Sequence, residues 1–348
     1  MKTIIPAFIR LFLGLIFLGL LSCNRLTPSP HYPPRHDPQF PKTPMNLEAF
    51  NSVYDDYNSA APDEPGALAL CFSTNRMSGG TQFDIIYKPL YYDFNYETGD
   101  FSVSDHGYDP NGIVENSFCL NDALSKINTS SDEFGPYLIH RGSLTSSQGT
   151  LYEAYVFMYA SGKDGDQDIY FTHNLLDEHF EQPHKVAFLS SPGDDFYPTF
   201  NRRFNKIYFS SNRDSIFNIY HLNIDNTQGL IQALSSADPK PVFLDTLLSS
   251  SSNDKCPFIN GNLMVFASDR PGGFGGYDLY YSILKDGHWS QPVNFGDRIN
   301  TPYDEFRPIV IKASRYSTFR NDMMIFSSNR PGGKGGFDLY LVGIDKTE

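Results

Sequence analysis

Carboxylates recur in adjacent pairs along this chain: Asp55-Asp56, Asp132-Glu133, Asp194-Asp195 and Asp304-Glu305, with Asn253-Asp254 in the corresponding place. Four arginines, Arg76, Arg213, Arg270 and Arg330, recur in step with them. Two carboxyl groups around one cleft can cleave a glycosidic bond, one protonating the leaving oxygen while the other attacks or activates water. That chemistry needs carboxyls of different acidity, because acid and base have different tasks. Here the acids instead occupy equivalent positions in nearly every unit. Such recurrence points to ion pairs and capping bonds that hold each unit to its neighbour, and no residue is assigned a catalytic role.

Other sources of chemistry are weaker. His140, His173, His221 and His288 lie far apart, and none has metal-ligand spacing with a neighbour. No Gly-x-Ser-x-Gly elbow is present. Gly272–Gly276 resembles a phosphate cradle, but no lysine-serine/threonine pair follows it. The string Asp164-Gly165-Asp166-Gln167-Asp168 resembles part of a calcium loop, without the glutamate that closes one. The expectation is no metal, no cofactor and, on balance, no enzyme.

The elements that position these residues follow from one phrase present five times. Its clearest copies are Phe266–Tyr280 (FASDRPGGFGGYDLY) and Phe326–Tyr340 (FSSNRPGGKGGFDLY); weaker ones begin at Phe72, Tyr159 and Phe209. A second phrase containing each acidic pair precedes every copy, as in INTSSDEF (127–134) and INTPYDEF (299–306). Alternation at intervals of roughly 50–80 residues signals a repeat architecture. In the last unit, Phe306–Ile311, Met323–Ser328 and Asp338–Ile344 read as three strands, with glycines punctuating the second hairpin. Asp338, repeated as Asp84, Asp168 and Asp278 with Asn218 substituting, suits a side chain that accepts N–H bonds from that turn. A fourth strand is visible at His288–Pro292. With 22 tyrosines, 29 phenylalanines and few helix signals, the chain reads as all-β: a five-bladed propeller of four-stranded antiparallel blades. Gln39–Lys42 stands before the first unit as His288–Gln291 stands before the last, so the N-terminus is expected to complete the last blade and close the ring. Six blades, with Pro89–Glu115 as a degenerate one, is the alternative.

The phrases Ser-Ser-Asn-Arg-Pro-Gly-Gly…Asp-Leu-Tyr (327–340) and Ile-Asn-Thr…Asp-Glu-Phe…Pro (299–308) resemble the WD-like propeller repeats of the TolB-like family. The resemblance covers most of 40–345 and is weakest in the second unit, where Gly162-Lys163 replaces Asn-Arg. It implies a bacterial envelope protein. Some relatives carry a peptidoglycan-binding OmpA-type domain; none is expected here.

The flanks agree with an envelope location. Lys2 and Arg10 flank the start of an apolar run, Leu11–Leu21, and Leu20-Leu21-Ser22-Cys23 resembles a lipobox, which implies lipidation at Cys23. The expected division is a lipoprotein signal peptide at 1–22, a proline-rich tether at 23–37 and the propeller at 38–348. An outer-membrane lipid anchor on the periplasmic or cell-surface side is the expected location. Removing Lys2 and Arg10 with the leader takes the formal charge from −13 to about −15, and such an acidic surface repels nucleic acid. Cys71, Cys119 and Cys256 are odd in number, so no essential disulfide is expected.

Departures from the repeat supply the functional expectation. The segment Pro89–Glu115 carries Tyr91, Tyr92, Phe94, Tyr96 and Tyr108, and Arg141–Tyr152 is a second insertion. Aromatics on a protruding loop can anchor a partner, or they can pack against the propeller's side. The first reading is therefore a non-enzymatic scaffold that binds an envelope protein. The alternative is a glycan-binding or glycan-cleaving propeller whose central funnel is lined by non-repeated acids and aromatics.

Overall fold

Each apolar run of the repeat forms a strand. The computed structural model describes residues 35–62, 67–107, 117–312 and 318–347. After β1 (Met45–Asn46), blade one contains β2 (Asp56–Ala60), β3 (Ala67–Thr74), β4 (Asp84–Phe94) and β5 (Phe101–Ser104). Helix α1 (Ser117–Ile127) leads to blade two: β6 (Glu133–Thr145), β7 (Leu151–Ser161), β8 (Asp168–His173) and β9 (His184–Lys185). Blade three is β10 (Asp195–Phe200), β11 (Lys206–Ser211), β12 (Asn218–Asn223) and, after the short α2 (Leu230–Leu234), β13 (Phe243–Leu244). Blade four is β14 (Asp254–Asn260), β15 (Leu263–Ser268) and β16 (Asp278–Lys285), edged by β17 (His288–Trp289) and β18 (Val293–Asn294). Blade five is β19 (Glu305–Ile311), β20 (Asp322–Ser328) and β21 (Asp338–Ile344), with β1 as its outer strand. The fold is a five-bladed β-propeller.

The second strand of a blade is sandwiched between neighbouring sheets, which is why KIYFSS, LMVFAS and MMIFSS are almost uniformly apolar or small. In β15 and β20 every residue is buried. One apolar cluster extends through all five blades, from Phe50 and Leu70 to Phe326 and Leu341. Outer strands are mostly two residues long, which limits the exposed hydrogen-bonding edge.

The ring closes as expected, but through different residues. Met45 and Asn46 pair with Leu341 and Tyr340. Gln39–Lys42 instead supplies a single ladder-like bond, from Gly343 N to Pro41 O at 2.7 Å. Blade four shows why: its outer edge comes in two pieces, and Val293–Asn294, not only His288–Trp289, pairs with the third strand. The six-blade alternative is corrected too. Pro89–Phe94 continues β4, and Phe101–Ser104 is the fourth strand of blade one, so the segment completes a sheet instead of founding one. The leader, Cys23, most of the tether and Tyr108 lie outside the described residues. Among those described, no helix is long and apolar enough to cross a membrane.

Every innermost strand carries a bulge at the same place. Its pairing with the second strand shifts register after Tyr57, Phe134, Phe196, Lys255 and Phe306. The next residue in each case, Asn58, Gly135, Tyr197, Cys256 and Arg307, has φ between +47° and +59°. In four blades a proline follows, Pro136, Pro198, Pro257 and Pro308, which suits an inner edge whose N–H has no ladder partner. A left-handed conformation costs a non-glycine residue roughly 1–2 kcal/mol. Its repetition shows that the bulge is part of the architecture and re-aims one side chain per blade.

Candidate functional site

The recurrent acids divide their work. The second acid of each pair accepts both the N–H and the hydroxyl of a Ser or Thr four residues earlier: Ser52 to Asp56, Thr129 to Glu133, Ser191 to Asp195, Ser250 to Asp254 and Thr301 to Glu305. Within the same blade it also pairs with the arginine. Arg76 meets Asp56, Arg213 meets Asp195 at 2.8 Å, Arg270 meets Asp254 at 2.5 Å and Arg330 meets Glu305 at 2.9 Å. Each guanidinium lies over the strand-two phenylalanine, and in three blades over the strand-three tyrosine as well. It also donates to a carbonyl of the entering linker, at Phe50, Leu189, Leu248 or Ile299.

The tie between blades is made by the first acid, not by the ion pair. Asp55, Asp132, Asp194, Asn253 and Asp304 each accept an N–H from the preceding blade's hairpin, at Phe337, Phe83, Gln167, Phe217 and Tyr277, over 2.8–3.2 Å. These five bonds run all the way around the ring. The expectation that the ion pairs join neighbouring blades is corrected accordingly. Blade two departs from the pattern, as its sequence does: Lys163 sits 3.9 Å from the Tyr170 ring centre, and Glu133 has only hydroxyl and N–H partners, from Thr129 and Ser161.

Burial raises the Asp195 and Glu305 carboxyls against the pull of their arginines, and burial raises Glu133, which has no cationic partner among the described residues. These groups are fully enclosed and fully bonded, so they present no free carboxyl to a substrate. The Asp164–Asp168 string is similarly committed: Asp164 accepts the Tyr170 hydroxyl and Asp168 pairs with Lys185.

On the acid-pair face, aromatic rings close the central channel. Tyr57 packs against Phe83, Phe134 and Phe337 with centroids 5.1–6.0 Å apart, and Phe134 packs on Phe196 at 6.2 Å. Lys255 completes the circle with its ammonium 3.7 Å from the Phe217 ring centre. Burial holds that ammonium below the usual lysine range.

The channel opens on the opposite face. There the exit ends of four innermost strands surround a funnel of about 320 Å³. Its wall carries a chain of aromatic contacts, Phe258 to Tyr137 (6.1 Å), Tyr137 to Phe200 (6.0 Å) and Phe200 to Phe204 (5.5 Å). His140, Asn201, Arg202 and Asn260 add polar groups, and the Arg141 guanidinium lies 5.9 Å from the Phe204 ring centre. His140 Nε2 bonds Glu153 Oε2 at 2.5 Å, and Glu153 also accepts the Ser143 hydroxyl at 2.6 Å. This pair arises because β6 and β7 extend beyond the repeat as a long hairpin, the Arg141–Tyr152 insertion. The pocket therefore has the aromatics expected of a glycan site, although Tyr137 and Phe258 occupy one repeat position in two blades. The expected acids are not among its described lining residues.

Most of the aromatics assigned to partner binding take the second of the two expected placements, packed against the propeller. Phe94 is buried, and Tyr92 packs at 5.6–6.1 Å against Phe40, Phe101 and Phe319, which pins the N-terminal segment to blades one and five. The Tyr91 ring lies against Gly107, where a Cβ would come within 2.6 Å. Of the four described, Tyr96 alone is exposed, and its hydroxyl meets Thr318 at 3.3 Å. They hold blade one together.

No family model and no curated protein matches this sequence. Solved structures do. An endo-arabinase from Bacteroides thetaiotaomicron is 12% identical, with a TM-score of 0.50 over 89% of this chain and 99% of its own. The catalytic domain of a GH62 α-L-arabinofuranosidase from Coprinopsis cinerea is 11% identical, with a TM-score of 0.48 over 90% of this chain and 98% of its own. A TolB candidate from Agrobacterium tumefaciens is 11% identical, with a TM-score of 0.40 over 87% of this chain and 97% of its own. At such identities the likeness establishes the propeller fold. The expected non-enzymatic protein-binding scaffold is not upheld: Tyr91, Tyr92 and Phe94, which were to anchor a partner, are packed against the protein itself, and the solved propeller of like fold at a TM-score of 0.50 is named as an endo-arabinase.

Proposed function

We propose that this propeller binds a glycan chain in its central funnel. The observation that carries the proposal is the pocket itself: an aromatic wall of Tyr137, Phe200, Phe204 and Phe258, faced by amide, imidazole and guanidinium groups. Sugar rings present apolar faces that pack on aromatics and hydroxyl edges that need donors and acceptors, and a volume near 300 Å³ lies at the small end for ligand pockets. The endo-arabinase of like fold makes pentose polymers the first class to test. Hydrolysis of the bound chain would need two carboxyls about 5–9.5 Å apart. Glu153, bonded to the lining residue His140, is a carboxylate beside the funnel, and it is already held by His140 and Ser143. Binding is therefore the step supported by the described lining.

Calorimetric titration with soluble arabinan, arabino-oligosaccharides and xylo-oligosaccharides tests this, alongside an assay of reducing-end release. Saturable binding is expected, weakened about fivefold or more in Phe204→Ala by loss of about 1 kcal/mol of ring stacking. Absence of binding across that panel would sink the proposal. Reducing-end release abolished by Glu153→Gln would extend it to catalysis.

A further inference from the structure

Below the funnel, the five bulge residues converge on the axis and seal the channel's waist. Gly135 makes this convergence feasible: a Cβ there would come 2.5 Å from the Tyr197 ring, so only glycine lets that tyrosine lie across the channel. Arg307 enters from blade five, its guanidinium carbon 5.1 Å from the Tyr197 ring centre. It crosses to blade two, where Nη2 donates to Pro136 O at 3.0 Å. Arg307 is 0% exposed, and its Nε and Nη1 find no acceptor among the described residues. No carboxylate among the described residues pairs with it, in contrast to the four recurrent arginines. A fully buried cation with neither counter-charge nor a full set of acceptors is costly, and folded chains normally pair such a group.

We propose that the waist is a binding site for a single small monovalent anion of chloride's size, held by Arg307 against Tyr197 and Cys256. The anion supplies both missing elements, the negative charge and the acceptors for Nε and Nη1. The protein's own candidates cannot do so. The Cys256 thiol is pushed up to about 12 by burial even beside Arg307, and burial drives the Tyr197 phenol well above its usual value, so both are neutral near pH 7. Water would satisfy hydrogen bonds without neutralising charge. Asn58, Tyr197, Cys256 and Arg307 are 0–5% exposed, so the site is shut off from bulk solvent and a small, singly charged ion is the guest whose desolvation costs least. The left-handed backbone at all five positions directs this convergence. The site is separate from the funnel's aromatic wall and stands whether or not a glycan binds there.

Crystals of the wild-type protein grown in sodium bromide should show an anomalous peak within about 3.5 Å of the Arg307 guanidinium. In solution, replacing sodium gluconate by sodium chloride at constant ionic strength should raise Tm by about 2 °C per tenfold increase in chloride above half-saturation. Arg307→Met should lose this dependence while retaining any glycan affinity of the funnel. Should that variant fail to fold, the bromide experiment still decides the matter. A waist without an anomalous peak would overturn the proposal, as would equal melting of the wild type in the two salts.

Discussion

Glu133 and Glu305 occupy the same position in blades two and five, yet only Glu305 has an arginine. Glu305→Gln leaves the Arg330 guanidinium facing a neutral partner in a nearly buried site, and removing one member of such a pair costs about 3–5 kcal/mol. Glu133→Gln strands no cation, so its cost should stay under about 1 kcal/mol; urea unfolding of both variants measures the contrast. The pH dependence follows from the raised Glu133 carboxyl. A carboxyl raised in the folded state contributes stability that is fully present below its unfolded value of about 4.3 and disappears as pH rises through the folded one. Relative to wild type, Glu133→Gln should therefore improve as pH rises from about 5 to 8. A flat difference across that range would show that the group is not shifted. Glycines give a second test at this scale. A Cβ on Gly335 would lie 1.8 Å from the Tyr54 carbonyl oxygen, where the blade-five hairpin rests on the linker into blade one. Gly335→Ala should cost about 3 kcal/mol through backbone displacement, and a loss under about 0.5 kcal/mol in urea unfolding would refute this account.

At the scale of elements, the repeated phrases can be read almost letter by letter. Asparagine in the linker, at Asn51, Asn128 and Asn300, grips both the N–H and the C=O of one residue in the preceding blade's third strand, at Leu339, Ile85 and Leu279. The hydroxyl residue that follows clamps the second acid, the first acid ties the blades, and the arginine holds the linker. These contacts are local and recur, so the blades were legible from spacing alone. Not every glycine was read correctly: Gly272 and Gly332 have positive φ, whereas Gly275 and Gly335 are required by close approach to the next linker. The funnel was not legible. Tyr137, Phe200 and Phe258 come from three blades, more than 50 residues apart in each step; Tyr137 and Phe258 share the position after the bulge proline, but that position holds Ala60, Thr199 and Ile309 in the other blades, so it does not mark a wall. The bulge left a trace that was missed, the proline recurring three residues after the second acid in four of the five units. His140 and Glu153 were individually visible, but their pairing depends on the register of an insertion hairpin.

For the whole molecule, closure of the ring is the organising fact. β1 covers the edge of β21, Arg320 N donates to Pro38 O, and Asn321 bonds both the N–H and the C=O of Phe40. A chain lacking residues 1–46 would keep all five inner sheets but bare the outer edge of blade five. Its Tm should fall by several degrees, and light scattering should detect edge-to-edge association that the full chain does not show. A truncated chain that melts like the parent and stays monomeric would mean that the ring is held by the inter-blade bonds alone.

The span between β1 and its partner also sets a clock. Met45 and Leu341 are joined across nearly the whole chain. At 5–20 residues per second, a ribosome takes roughly 15–60 s to make the stretch between them. Throughout that delay the nascent N-terminal strand has no mate, while the earlier blades can already form. The final step of maturation is thus a docking of the two ends, and any factor that shields Phe40 and Met45 during synthesis would act on that step alone.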